Sequence, residues 1–129
     1  MMKFHTVGLF VTEMDKMVAF YRDVMGLNTD WSGAPNAELS GGDMRLIMFS
    51  RADFEAMTGR VYGYPAPLNG TVELAFEADT FADVDVAYAR VTAAGAQPIF
   101  PPATMPWGQR TSYVADPDGN LIEIGSFGG

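Results

Sequence analysis

The chain has no cysteine, which excludes a disulfide framework, a thiolate zinc site and a cysteine nucleophile. It has one histidine, His5, near the start, and no serine placed to complete a nucleophile–histidine arrangement. Basic residues are scarce. Eight Lys and Arg against sixteen Asp and Glu leave a net charge of −8, and no stretch concentrates the basic ones. Nucleic acid and anionic membranes are therefore not expected as partners. Long apolar runs are missing as well. No segment approaches the roughly 20 residues of a membrane span, and MMKFHTVGLFVTEM lacks the apolar core of a secretory leader. With cysteine absent too, a cytoplasmic protein is the expectation.

What is present suits one domain. A length of 129 residues with 48% hydrophobic side chains can bury a core without staples. The pattern along the chain repeats. FHTVGLFV (4–11) reads as a strand, and Thr12 with Asp15 three residues on reads as a helix start. Met14, Met17, Val18, Tyr21 and Met25 then recur at helical spacing, and Gly26 ends the helix. Short strands are expected around 27–31, 37–39 and 44–50. The second half runs the same way. A strand covers 71–77, and Asp79 or Thr80 caps a helix whose stripe is Val84, Ala87, Tyr88 and Val91. Gly95 closes that helix, and strands follow at 97–100, 110–115 and 121–127, the last two joined by the Pro117–Asp118–Gly119 turn.

The fold class expected is α+β: two βαβββ modules forming a curved mixed sheet around a trough, with helices outside. Module one covers about 1–58, a linker about 59–69 and module two about 70–129 of a single domain. Alternation assigns faces. Val7, Leu9 and Val11 face the helix, with Thr6, Gly8 and Phe10 opposite. Val72, Leu74 and Phe76 oppose Thr71, Glu73 and Ala75, and Ile122 and Ile124 oppose Leu121, Glu123 and Gly125. A lone glutamate on such a face is ordinarily solvated. Two at matching places in repeated modules point to a shared site, where facing carboxylates need a proton or cation between them.

Two stretches, VTEMDKMVAFYRDVMGL and WGQRTSYVADPDGNLIEI, carry a family likeness, most specifically in FYRDVMGL paired with DPDGNLIEI. They resemble the vicinal-oxygen-chelate superfamily, which includes glyoxalase I, extradiol dioxygenases, and fosfomycin- and bleomycin-resistance proteins. The resemblance implies the fold strongly and the reaction weakly, because one trough serves several chemistries. It implies a metal ligand at Glu123 and another at Glu73, where the family's histidine is replaced by a carboxylate. Tyr113 matches a tyrosine lining the site in fosfomycin-resistance relatives. The family's first-strand histidine position falls on Thr6, whereas His5 is helix-facing by alternation, so His5 becomes a ligand only through a bulge or slipped register. Otherwise it is a hydrogen-bonded histidine at a strand start. A fourth ligand would fall near Ile47 or Met48, neither of which binds hard cations.

On this resemblance the cofactor is a divalent metal (Mn²⁺, Mg²⁺, Fe²⁺, Ni²⁺ or Zn²⁺), or none. With the metal, Glu73 and Glu123 would serve lyase, isomerase or epimerase chemistry on a small molecule. Without it, the protein would bind or sequester a small ligand as the bleomycin-resistance branch does. A purely structural or protein-interaction module is the third reading. Substrate contacts are expected from Thr6, Trp107, Arg110 and Tyr113. Trp107 either stacks on a planar ligand or plugs the core. Arg110 either pairs a substrate anion or makes a surface salt bridge. Tyr62 and Tyr64 either form a lid or pack on a domain edge. A homodimer is expected, since relatives bury their exposed edges by association.

Overall fold

Two segments, Met1–Gly63 and Tyr64–Gly129, fold into separate compact units in the computed structural model, which describes residues 1–129. The first contains β1 (Thr6–Val11), α1 (Met14–Ala19), β2 (Asn28–Thr29), β3 (Asn36–Gly41), β4 (Met44–Ser50) and α2 (Arg51–Thr58). The second contains β5 (Asn69–Glu77), α3 (Phe81–Ala93), β6 (Gln97–Thr104), β7 (Arg110–Ala115) and β8 (Asn120–Ser126). Each unit forms a four-stranded mixed sheet with the same topology, β1-β4-β3-β2 in one and β5-β8-β7-β6 in the other. In both, the first strand lies parallel to the last and the rest pair antiparallel. The α+β class with two βαβββ modules is therefore realised, and the internal repeat is real.

In the first unit, α1 packs on β3 and β4. Leu9, Val11, Met17, Val18, Tyr21, Leu39, Leu46 and Met48 make the core. The helix start departs from expectation. Thr12 does not cap it; its hydroxyl accepts from Arg51 Nη1 at 3.2 Å, and Glu13 occupies the cap position without a side-chain bond. The helix also widens into a π-helical turn over Phe20–Val24, with Met25 N donating to Phe20 O at 3.1 Å. A wider turn rotates successive residues less, so Phe20 and Val24 join Tyr21 in the core while Met25 is only half-buried.

The second unit follows the sequence pattern closely. Thr80 and Asp83 form a reciprocal capping box at the start of α3. The helix packs on β6, β7 and β8, burying Val84 and Val91 against Val114, Ile122 and Ile124. The β7–β8 turn is fixed by Asp116, whose Oδ1 accepts from the backbone N–H of Asp118 (2.9 Å) and of Asn120 (3.0 Å). Gly119 is required there twice over. Its φ is +86°, and a Cβ would stand 2.0 Å from the Pro67 carbonyl oxygen. β6 runs four residues beyond the expected end because the prolines at 98, 101 and 102 sit on the sheet's outer strand, where a missing N–H costs no internal ladder bond. Its pairing with β7 shifts register on both sides of Phe100.

Candidate functional site

In the second sheet, alternation along β7 and β8 sends Thr111, Tyr113, Glu123 and Gly125 to the face away from α3. Register brings them together: Tyr113 lies opposite Glu123, and Thr111 opposite Gly125. On the other side of β8, Ala75 is Glu123's partner, so Glu73 lies two residues back on the same face of β5. The two glutamates and the tyrosine thus share one open face.

Glu123 is held from one side. Its Oε2 accepts from Thr111 Oγ1 (2.6 Å), Gln109 Nε2 (3.2 Å) and the Tyr113 hydroxyl (3.2 Å). No donor reaches Oε1. Three neutral donors on one oxygen fix the carboxylate's direction and leave the second oxygen as an acceptor for something else. The Tyr113 phenol is pushed up to about 12, first by burial, then by the charges of Glu123 and Glu73, with the hydrogen bond to Glu123 Oε2 adding to them. A phenol has a single proton, so two carboxylates compete for one donor. Glu123, with two further donors, is the better served. Glu73 is the exposed member of the pair.

Two other expected residues are placed differently. Trp107 is 64% exposed on the turn before β7, so it does not plug a core. Its indole N–H donates to Gln109 Oε1 at 2.9 Å. Arg110 alternates with Ser112 and Val114 onto the α3 side, where it grips Asp85 with two bonds of 2.9 and 2.7 Å and reaches Thr104 at 3.0 Å. Each member of that pair holds the other in its charged form, the carboxyl below and the guanidinium above its ordinary range. Sequence reasoning missed Gln109. Its signal was faint, a loop glutamine two residues from Thr111 whose use depends on register.

The first sheet's open face has a different character. Gly8, Phe10, Ile47, Phe49, Phe54 and Met57 line a cavity of about 530 Å³. Phe54 of α2 lies against Phe10 at 4.2 Å between ring centres and against Tyr62 at 5.3 Å. Thr6 opens β1 at the edge of this sheet. His5 sits just before the strand, exposed, with its ring Nδ1 bonded to the Thr6 hydroxyl. The β1–β4 register is continuous from Thr6 to Val11, with no bulge to turn His5 over. Nowhere do three His, Cys, Asp or Glu side chains gather as a group able to hold a metal ion. The donor set on the second sheet stops at two carboxylates.

Paired βαβββ modules with polar residues on an open sheet face define the glyoxalase-type fold. The chain belongs to the Glyoxalase/Bleomycin resistance protein/Dioxygenase superfamily, whose family model matches residues 3–124. It is similar to the uncharacterized protein YraH of Bacillus subtilis (strain 168), 30% identical over 95% of this chain and 97% of that one. Among solved structures it resembles a glyoxalase-related enzyme from Fulvimarina pelagi, with a TM-score of 0.83 at 21% identity over 98% of this chain and 88% of that one. It also resembles a lactoylglutathione lyase from Agrobacterium tumefaciens, with a TM-score of 0.72 at 26% identity over 96% and 92% of the two chains. No helix is long and apolar enough to cross a membrane.

Proposed function

We propose that this protein binds a small molecule on the open face of its second sheet, through Glu73, Tyr113 and Glu123, with no resident metal required. The observation that carries the reading is the three-donor clamp on Oε2 of Glu123, which presents Oε1 as a fixed acceptor. The matching ligand group is a hydrogen-bond donor or a cation. Only two basic residues lie in this unit: Arg110 is committed to Asp85 on the other face, and Arg90 is on α3. A fragment set of amines, phenols and carboxylates, screened by protein-observed NMR, tests this. Donor fragments should move the signals of Tyr113 and of the β5 and β8 backbone beside Glu73 and Glu123. Hits confined to carboxylates, or shifts confined to other surfaces, would overturn the reading.

A second reading is lyase or isomerase chemistry assisted by a divalent ion at Glu73 and Glu123. It is favoured by both carboxylates lying on one sheet face beside Tyr113 and by the likeness to a lactoylglutathione lyase. Two carboxylates supply only part of an ion's coordination, so Glu73 and Glu123 would hold it only with water or substrate oxygens completing the shell. Elemental analysis of protein purified without chelator separates the readings. In either, a homodimer working in the cytoplasm accompanies the proposal.

A further inference from the structure

We propose that Gln109 is the positioning residue for Glu123 and that Trp107 sets its orientation, so that the exposed indole and the ligand-facing carboxylate behave as one connected unit. The inference rests on the Glu73–Tyr113–Glu123 face being the ligand site. It begins with the two chemically distinct ends of a glutamine amide: the carbonyl only accepts, and the NH₂ only donates. Gln109 uses one end on each side. Its Oε1 accepts from Trp107 Nε1–H at 2.9 Å, and its Nε2 donates to Glu123 Oε2 at 3.2 Å.

An indole can only donate, and a carboxylate can only accept. Turning the amide over would set oxygen against oxygen and N–H against N–H at once. The indole therefore selects the one orientation that Glu123 needs. The turn beneath Trp107 is itself closed, by Met105 N to Gln109 O at 2.7 Å and Gly108 N to Met105 O at 3.0 Å, with Gly108 at φ +89°. Room for the amide comes from β8. A Cβ at Gly125 would stand 2.9 Å from Gln109 Nε2 and 3.0 Å from Thr111 Oγ1. Positions 107, 109 and 125 are thus three parts of one device. Around Glu123 the neighbours on this face are Glu73 from β5 and Thr111 and Tyr113 from β7, so Gln109 adds a donor without adding a charge. At 64% exposure, Trp107 is the part a planar ligand meets first.

The test is NMR of the two indole N–H signals in the full chain. Trp107→Phe assigns the Trp107 signal. Trp31, whose N–H donates to Ala34 O at 2.7 Å in the first unit, is the control. Glu123→Gln should shift the Trp107 signal and leave that of Trp31 in place, because it turns a charge-assisted bond into a neutral one. In a Gln109→Met background the same substitution should move neither signal. Gln109→Asn, too short to bridge, serves if Gln109→Met does not fold. A Trp107 signal unmoved by Glu123→Gln, or moved equally without Gln109, overturns the proposal. The reciprocal readout is the Gln109 side-chain amide: in Trp107→Phe its two proton signals should converge toward free-amide positions, and unchanged positions count against the relay. No ligand enters the experiment, so the relay can fail while the ligand site stands, and the reverse.

Discussion

Tyr113 faces two carboxylates with one proton, and its titration should show it. With the phenol raised to about 12, its tyrosinate absorbance should appear well after that of an ordinary tyrosine near 10. Glu123→Gln removes the charge while leaving a carbonyl acceptor, so the titration should move down from about 12 without returning to 10, because burial, the largest cause, remains. The linkage has a definite sign. The unfolded phenol ionises near 10 and the folded one near 12, so this stabilisation is complete below pH 10 and is lost as pH rises through 12. Urea melts across that window, compared with Tyr113→Phe, check it. Gly125→Ala tests crowding at the clamp. A methyl 2.9 Å from Gln109 Nε2 and 3.0 Å from Thr111 Oγ1 displaces those two side-chain ends, so the Trp107 indole signal should shift while the urea midpoint falls only slightly. The shared face of Glu73 and Glu123 was legible from two-residue alternation, and Tyr113 was added by the family resemblance rather than by any pattern along β7. For Arg110 the sequence left a substrate anion and a salt bridge both open, and the β7 register, which turns it with Ser112 and Val114 toward Asp85, decides for the salt bridge. Gln109 was not legible, because a loop residue has no periodicity and acquires its partner only through the register of β7 on β8.

Among the elements, helix starts show how a motif and its use can part. Thr80 and Thr12 each precede a helix with an aspartate three residues on, yet only Thr80 caps. Arg51, entering from α2, takes the Thr12 hydroxyl instead and anchors itself on Phe10 O at 2.9 Å. Such a tertiary contact leaves no trace in a local pattern. Thr80→Ala should therefore cost about 0.5–2 kcal/mol in urea unfolding, the usual loss of a cap. Thr12→Ala should cost less and act by loosening Arg51. Strand positions were readable from short apolar runs bounded by turn residues, as for β4 between Gly41–Gly42 and Arg51 and for β7 before Pro117–Gly119, whereas the end of β6 was hidden by its prolines. The Arg110–Asp85 pair belongs to this scale too. Although bidentate, it is half-exposed at Asp85, so Arg110→Met should change the urea midpoint little and leave fragment binding on the opposite face unchanged.

For the whole molecule, the assembly and the ion remain the decisive measurements. Sedimentation at micromolar concentration should give a dimer of the 14.0 kDa chain, and a monomer mass would remove the dimer from the proposal. Mn²⁺ should leave the melting midpoint of the wild type unchanged. A rise that disappears in Glu73→Gln would transfer the assignment to the metal-assisted reading, because an ion binding only the folded state must stabilise it. The repeated topology has one more consequence. In each unit, alternate residues of the inner strands turn toward the helix and supply much of the buried core. The residues between them face away from that helix, and there one module presents phenylalanine and isoleucine where the other presents two glutamates. Foldability and chemistry are written here in interleaved but separate alphabets, so a new ligand preference can be spelled on the open faces without rewriting the fold.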